Sequence, residues 1–125
     1  MLNHREEIVA RYFNAWIVKD ASALQTFFTE DILYTNAYGQ HYQGLDQVKR
    51  WFEDWNQQGN VTEWQIKQFI HQGAISVVEW HYQCAYHSTL SAFDGVSLIY
   101  FDDQDHIVEL KEFHAKADSP SPQET

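Results

Sequence analysis

Several residue types are scarce in this chain of 125 residues, and each scarcity argues against a class of protein. One cysteine cannot form an internal disulfide. Only 8 Lys and Arg residues stand against 18 Asp and Glu residues, and the net charge of −10 argues against nucleic acid or an anionic membrane as partner. No apolar run approaches the roughly 18 residues of a membrane-spanning helix. The first residues, 1–7, lack a signal-peptide pattern, so we expect a cytoplasmic protein.

Aromatic residues are abundant by contrast. The 5 Trp, 7 Tyr and 8 Phe residues make up 16% of the chain, which predicts an interior rich in rings. The length suits one domain with a real hydrophobic core. The Ser-Pro-Ser-Pro segment close to the end indicates a disordered tail over residues 117–125. We therefore predict a single domain over residues 1–116.

The first half of the chain has the 3–4 spacing of amphipathic helices. Residues 4–19 form the first predicted helix, and Asp20 is the expected N-cap of a short second helix through Phe28. A third helix is predicted with Asp46 as its cap and Gly59 as its stop. Two short strands are expected before it, over residues 32–36 and 41–43.

After Gly59 the period changes from 3.6 to 2, which predicts long strands. Helices followed by a run of hairpin strands indicate an α+β fold. The aromatic face of the sheet must be buried, and the three N-terminal helices are the available cover. A curved sheet wrapped around a helix leaves a cavity that binds small molecules. The expected long strands cover residues 61–71, 74–87, 92–101 and 106–116.

One motif has the spacing of metal ligands, His81-x-x-Cys84-x-x-His87. On a strand, however, residues 81 and 87 point to one side and residue 84 points to the other. We predict no metal site there and a buried apolar role for Cys84. The sequence has neither a phosphate-binding glycine loop nor a nucleophilic-serine elbow, and we expect no cofactor.

Two pairs of polar residues fall two apart on predicted strands. Glu112 and His114 share a face of the last strand, and Tyr34 and Asn36 share a face of the first. Periodicity does not determine whether these faces point to the core or to water, because apolar and polar residues are mixed on both sides of the last strand. Both readings stay open at this point.

The order of elements and several short segments together resemble the nuclear transport factor 2-like superfamily, in its SnoaL-like branch. The resemblance covers residues 4–116 and implies a cone-shaped, curved antiparallel sheet closed by the helices. It also implies a pocket inside the cone and a homodimer. Relatives include ketosteroid isomerase, polyketide cyclases, limonene-epoxide hydrolase and scytalone dehydratase. The segments that carry it are Arg11-Tyr12-Phe13, Lys19-Asp20, Phe28-Thr29-Glu30-Asp31, Gly44, Ile99-Tyr100-Phe101-Asp102 and Ile107-Val108-Glu109.

The resemblance implies which residues of this chain take the catalytic positions of two known mechanisms. Against ketosteroid isomerase, the oxyanion tyrosine falls on Tyr12, the base falls on Asn36 and the acid falls on Ser97, so that mechanism lacks its base. Against limonene-epoxide hydrolase, the water-orienting pair falls on Tyr34 and Asn36, and the base falls on Glu112. The arginine and aspartate of that enzyme fall on Trp80 and Tyr82, so its acid is missing.

The same mapping implies which residues face the pocket, and it leaves two functions open. In the first, the protein is an isomerase, lyase or hydrolase with Glu112 or His114 as its general base. Tyr34 and Asn36 would position water or a substrate oxygen, and Tyr12 would donate to an oxyanion. The substrate would be small and largely apolar or aromatic. In the second, the same fold is a ligand-binding or dimerisation module without turnover. The homodimer would use the outer sheet face, with the polar residues Glu79, His81, Gln83 and Lys111, and Phe113 is also expected to point outward. The expected pocket lining is Val78, Trp80, Tyr82, Cys84, Ser97, Ile99, Phe101, Trp16 and Trp55.

Overall fold

A computed structural model describes residues 3–115, which form two α-helices, one 3-10 helix and one six-stranded sheet. The prediction of an α+β fold with a curved sheet and N-terminal helices is confirmed. The helices are α1 (His4–Val18), the 3-10 helix (Ala21–Thr26) and α2 (Leu45–Gln58). The strands are β1 (Phe28–Thr35), β2 (His41–Gln43), β3 (Gly59–Gln72), β4 (Ile75–Tyr86), β5 (Thr89–Phe101) and β6 (Ile107–His114).

The first helix, α1, has clear local reasons to begin and end where it does. Asn3 and Glu6 form a capping box, in which each side chain accepts from the other residue's backbone N–H. The helix ends where Lys19 adopts a left-handed conformation, with φ of 61°. Its apolar stripe includes Tyr12 and Trp16, both buried beneath the sheet's concave face.

Two predicted helix boundaries are wrong. The second helix is a 3-10 turn that ends at Thr26, and Phe28 instead begins β1, because its backbone lies in register with Ile107 of β6. The N-cap of α2 is Gly44, not Asp46. Gly44 has a φ of 88° and its N–H donates to the carbonyl of Ile32 on β1, so a hydrogen bond to β1 fixes the residue at which the helix starts.

The sheet has the strand order β2-β1-β6-β5-β4-β3. The pair β1–β6 is parallel, and the other neighbouring strands are antiparallel. Register shifts interrupt β3 against β4 at Val61/Glu63 and at Ile66/Gln68, and further shifts lie in the β1–β6 and β5–β6 pairs. Such irregularities bend a sheet. The two α-helices cover the concave side that results.

Cross-strand register decides which side chains share the concave face. Val78, Ser97 and Glu112 lie in one row across β4, β5 and β6. Glu112 is buried, whereas its neighbour Phe113 is 54% exposed on the opposite face. The question that periodicity left open is therefore answered, and Glu112 points into the cone. Glu79, His81, Gln83 and Lys111 lie on the outer face with Phe113, as the resemblance implied.

Within residues 3–115, neither α-helix has the combination of length and apolar composition needed to cross a bilayer. The tail predicted over residues 117–125 and the last residue of the predicted domain, residue 116, lie outside the described part of the chain.

Candidate active site

A cavity of about 570 Å³ lies between the two α-helices and the sheet. Its walls come from both helices, from β3, β4, β5 and β6, and from the loop between β1 and β2. All five tryptophans of the chain line it, and Glu112 contributes a carboxylate. The lining residues are Trp16, Asn36, Ala37, Tyr38, Gln40, Trp51, Trp55, Trp64, Trp80, Tyr82, Cys84, Tyr86, His87, Thr89, Ser91, Phe93 and Glu112.

Ring packing holds the helical side of the cavity in place. Trp16 of α1 lies edge-on to Trp51 and Trp55 of α2, with ring centroids 5.1 Å and 5.6 Å apart. On the opposite wall, Trp64 of β3 stacks on Phe13 at 4.0 Å. The walls are thus set by rigid secondary structure and by aromatic contacts of about 0.5 to 1.5 kcal/mol each.

The position of Trp80 depends on a glycine in the neighbouring strand. Gly95 pairs with Trp80, and a Cβ at this position would overlap the Trp80 ring and the carbonyl oxygen of Phe113. The bare glycine therefore lets the indole lie flat across β5. Its N–H donates to the hydroxyl of Ser97 at 2.9 Å, which fixes the ring.

Glu112 is buried and accepts a hydrogen bond of 2.6 Å from the Tyr34 hydroxyl at its Oε2 atom. Burial raises the pKa of Glu112 to about 7, and the Tyr34 hydrogen bond opposes that rise. Among residues 3–115, no Lys, Arg or His forms an ion pair with Glu112. The carboxyl group therefore changes its charge near neutral pH, as a general base requires.

A directed chain of hydrogen bonds leads to this carboxylate. The indole N–H of Trp16 donates to the Tyr12 hydroxyl at 2.9 Å, and Tyr12 donates to the Tyr34 hydroxyl at 2.6 Å. The ionised carboxylate can only accept, so Tyr34 must donate to Glu112, and Tyr12 must in turn donate to Tyr34. Burial, followed by the charge of Glu112, raises the pKa of both tyrosines well above the ordinary value, so they stay neutral donors.

Tyr12 and Tyr34 do not lie at the cavity surface, where groups that touch a substrate are expected. Both are almost completely buried, and neither lines the cavity. The Tyr12 proton is directed at Tyr34 and not at the cavity, so the expected donation to an oxyanion has no geometric basis. The two hydroxyls instead reach the cavity through Glu112.

Asn36 does line the cavity, but most of its amide is engaged in the loop between β1 and β2. Its Oδ1 accepts from the backbone N–H groups of Tyr38 and Gln40, each at 3.0 Å. Its Nδ2 donates to the Gln40 side chain. One N–H of the amide is left for a water or ligand, so the residue acts first as a turn former.

His114 does not join Glu112 in a pair. It is absent from the cavity lining, and its ring packs against Phe93 and Tyr38 with centroids 4.5 Å and 5.3 Å away. Its Nδ1 is buried without a hydrogen-bond partner among the described residues. Within residues 3–115, no hydrogen bond or ion pair joins His114 to Glu112.

The residues expected to line the pocket divide into two groups. Trp16, Trp55, Trp80, Tyr82 and Cys84 line it. The other four share the concave face but lie in the closed core, because that part of the sheet is filled by α1 and by other core side chains. They are Val78, Ser97, Ile99 and Phe101.

Sequence reasoning missed several lining residues. Trp51 is four residues before Trp55 on α2, and this spacing is typical of a core stripe as well as of a cavity wall. Trp64 lies between two register shifts of β3, so the alternation of residues along the strand does not show which face of the sheet its side chain occupies. Tyr86 shares the alternating face of Trp80, Tyr82 and Cys84 on β4, so that alternation could have found it. The other missed residues, which carried no local signal, are Tyr38, Gln40, His87, Thr89, Ser91 and Phe93.

Other groups near the cavity have limited chemistry. Burial raises the pKa of Tyr82 far above its ordinary value, so this hydroxyl is a poor acid. Burial also raises the pKa of the Cys84 thiol. The sequence His81-x-x-Cys84-x-x-His87 does not converge, since His81 binds Asp94 on the outer face at 2.7 Å. In the described range, no cluster of His, Cys, Asp and Glu side chains has a metal-binding arrangement.

Solved structures share this fold at low sequence identity. A hypothetical protein with a ketosteroid isomerase-like fold from Catenulispora acidiphila DSM 44928, solved in complex with trimethylamine, has a TM-score of 0.78 and 23% identity, with 87% of this chain and 85% of that chain covered. An LEH-like epoxide hydrolase from M. tuberculosis has a TM-score of 0.78 and 15% identity, with coverages of 89% and 82%. An NTF2-like protein of unknown function from Burkholderia pseudomallei K96243 has a TM-score of 0.76 and 14% identity, with coverages of 91% and 92%.

No curated protein matches the sequence significantly. The family model of the SnoaL-like domain matches residues 9–110, which include most of α1, all of α2 and most of the sheet. The resemblance to SnoaL-like proteins inferred from the sequence is therefore confirmed, and the chain belongs to the SnoaL-like domain family.

Proposed function

We propose that this protein is a cofactor-independent isomerase, lyase or hydrolase that acts on a small, largely apolar or aromatic molecule, with Glu112 as its general base. One observation carries the proposal: a buried carboxylate with a pKa of about 7 lies on an aromatic cavity and is held by Tyr34. A base whose pKa is close to the working pH combines sufficient strength with sufficient ionised population.

The hydrogen-bond pattern favours one oxygen for the reaction. Oε2 accepts from Tyr34, whereas Oε1 has no donor among the described residues. The ionised carboxylate would take a proton from a substrate carbon or from a water onto Oε1. The electron pair would stay on the substrate or on the resulting hydroxide. Tyr12 and Trp16 act in this proposal as positioning residues, because they orient the Tyr34 hydroxyl.

The second candidate is a ligand-binding module without turnover. The Catenulispora acidiphila protein was solved with trimethylamine, which favours the idea that a cavity of this fold holds a small ligand. The cavity also lacks an evident acid to complement Glu112, because the pKa of Tyr82 is raised and His114 lies elsewhere among the described residues. This candidate keeps the same binding site and assigns Glu112 a binding role.

Native mass spectrometry of the gently purified protein, followed by identification of any retained molecule, is the first experiment. The molecule is then incubated in D2O with the protein, with Glu112→Gln, and with Glu53→Gln, which alters an exposed carboxylate on α2. An enzyme transforms or deuterates it, and only Glu112→Gln loses this activity. Binding without transformation by all three proteins supports the module, and activity that survives in Glu112→Gln excludes Glu112 as the base.

We also propose a homodimer through the outer sheet face. Val96 and Phe113 are paired across β5 and β6, and Leu98 lies in the next row. These side chains give the otherwise polar face an apolar centre, with Phe113 54% exposed. A second copy of the chain would cover this centre, since exposed apolar patches mark interaction sites.

A further inference from the structure

We propose that the natural ligand of the cavity is a small alkylammonium cation, a positively charged nitrogen that carries apolar bulk, with Glu112 as its counter-ion. The inference rests on the proposed function in taking the same cavity as the binding site, and it adds the charge of the molecule bound there.

The aromatic lining is the first reason. Every tryptophan of the chain lies on this cavity, together with Tyr82 and Phe93, although the core elsewhere uses aliphatic side chains and other rings. The face of an indole attracts a cation more strongly than the face of any other side-chain ring, and a cage of such faces suits substituted ammonium groups. The volume of about 570 Å³ leaves room for alkyl or aryl substituents.

The isolated carboxylate is the second reason. A buried charge is normally paired with an opposite charge, but Glu112 receives one hydrogen bond from a neutral hydroxyl. No Lys or Arg is among the cavity's lining residues in the described part of the chain. Elsewhere in the fold, Lys67 binds Asp94 and Arg5 binds Asp105. A cationic ligand supplies the positive charge that the lining residues do not provide to Glu112.

The net charge of the whole chain acts in the same direction. A value of −10 produces a negative field that attracts cations to the cavity mouth and repels carboxylates and phosphates. A neutral apolar ligand would gain nothing from this field or from the ionised form of Glu112.

The pH dependence of binding gives a direct test, because Glu112 must be ionised to pair with a cation. The other titratable groups that surround the cavity are phenols, a thiol and two imidazoles. Burial raises the pKa of the Cys84 thiol and of four of the phenols, Tyr12, Tyr34, Tyr38 and Tyr82, so these groups stay neutral. Within the described residues, neither His87 near the mouth nor His114 on β6 is hydrogen-bonded to Glu112.

Isothermal titration calorimetry with choline, and with its uncharged carbon isostere 3,3-dimethylbutan-1-ol, separates charge from shape. Benzyltrimethylammonium serves as a larger cation. We expect choline or benzyltrimethylammonium to bind at least about tenfold more tightly than the alcohol at pH 8.5. At pH 6 cation binding should release a proton, seen as a dependence of the heat on the buffer, and the affinity should fall about tenfold per pH unit below pH 7.

Three variants sharpen the experiment. Glu112→Gln should abolish proton release and reduce the affinity for the cation by about tenfold or more while leaving the alcohol unaffected. Trp55→Leu keeps an apolar wall but removes a ring face, so it should weaken binding of the cation severalfold and weaken binding of the alcohol by less. Glu53→Gln, which removes an exposed carboxylate on α2 outside the cavity, should behave like the unaltered protein and so ties the proton release to Glu112.

The proposal is overturned if neither cation binds, if the alcohol binds as tightly as choline, or if the cation binds without proton release at pH 6. Failure of this inference leaves the proposed function standing when a neutral molecule is retained and is transformed through Glu112. Conversely, tight cation binding without any transformation supports the inference and favours the binding module over the enzyme.

Discussion

The hydroxyl of Tyr34 and the Oε2 atom of Glu112 are 2.6 Å apart, although 78 residues separate them in the chain. Tyr34 lies on β1 and Glu112 lies on β6, the parallel pair of the sheet. Tyr34 is in register with Leu110, so its side chain reaches across to the position two residues further along β6. The contact therefore exists only when the first and last strands of the chain have come together.

The raised pKa of Glu112 predicts a pH-dependent loss of stability. The folded protein holds this proton up to about pH 7, whereas the unfolded chain releases it near pH 4.5, so between these values the folded state binds more protons. Stability contributed by Glu112 is thus lost as pH rises, by roughly 3 kcal/mol in total. Glu112→Gln should match the unaltered protein at pH 4 and exceed its free energy of unfolding by up to that amount at pH 8.

Urea denaturation at a series of pH values measures this difference. Glu53→Gln is the control, because Glu53 is exposed on α2 and its replacement should leave the pH profile unchanged. Equal pH profiles for Glu112→Gln and the unaltered protein would contradict a raised pKa at Glu112.

Removal of the Tyr34 hydroxyl should raise the pKa of Glu112 above about 7, because the Tyr34 hydrogen bond stabilises the ionised form. Carboxyl carbon NMR of Glu112 in Tyr34→Phe would follow the titration directly. Tyr12→Phe should shift the pKa in the same direction by less, since Tyr12 acts through Tyr34. A larger shift in Tyr12→Phe than in Tyr34→Phe would contradict the order of the hydrogen-bond chain.

Gly95→Ala should damage the cavity wall. The new Cβ would overlap the Trp80 ring and the Phe113 carbonyl oxygen, so the ring must move away from Ser97 or the strands must separate. We expect a loss of about 1 to 3 kcal/mol in the free energy of unfolding, together with a change in tryptophan fluorescence. Ala92→Ser, at an exposed position on the same strand, should change stability by less than about 0.5 kcal/mol.

Phe113→Lys should convert the proposed homodimer into monomers, because it introduces a positive charge at the apolar centre of the outer face. Sedimentation velocity reports the assembly mass. Leu90→Lys is the matched control, since Leu90 is 81% exposed at the start of β5, away from Phe113. A dimer that persists in Phe113→Lys, or a monomer before any substitution, would contradict this interface.

Local patterns in the sequence predicted much of the architecture. The 3–4 spacing over residues 4–19 predicted α1, and the change to a period of 2 after Gly59 predicted the long strands. Such signals are readable because the burial of a helix stripe or a strand face repeats at a fixed interval. The boundary at Phe28 escaped this reasoning, because a partner on the distant strand β6 decides it.

The arrangement of the site depends on tertiary contacts, which local sequence patterns do not contain. Glu112 and His114 share a face of β6 but have different surroundings. Glu112 lies at the cavity and is hydrogen-bonded to Tyr34, whereas His114 packs against Phe93. The sequence by itself determined the α+β class, the aromatic interior, the family and the presence of a carboxylate on the last strand. Only the tertiary structure decided that this carboxylate is buried and turned inward, because burial and hydrogen bonding require β1, β6 and α1 to meet in space.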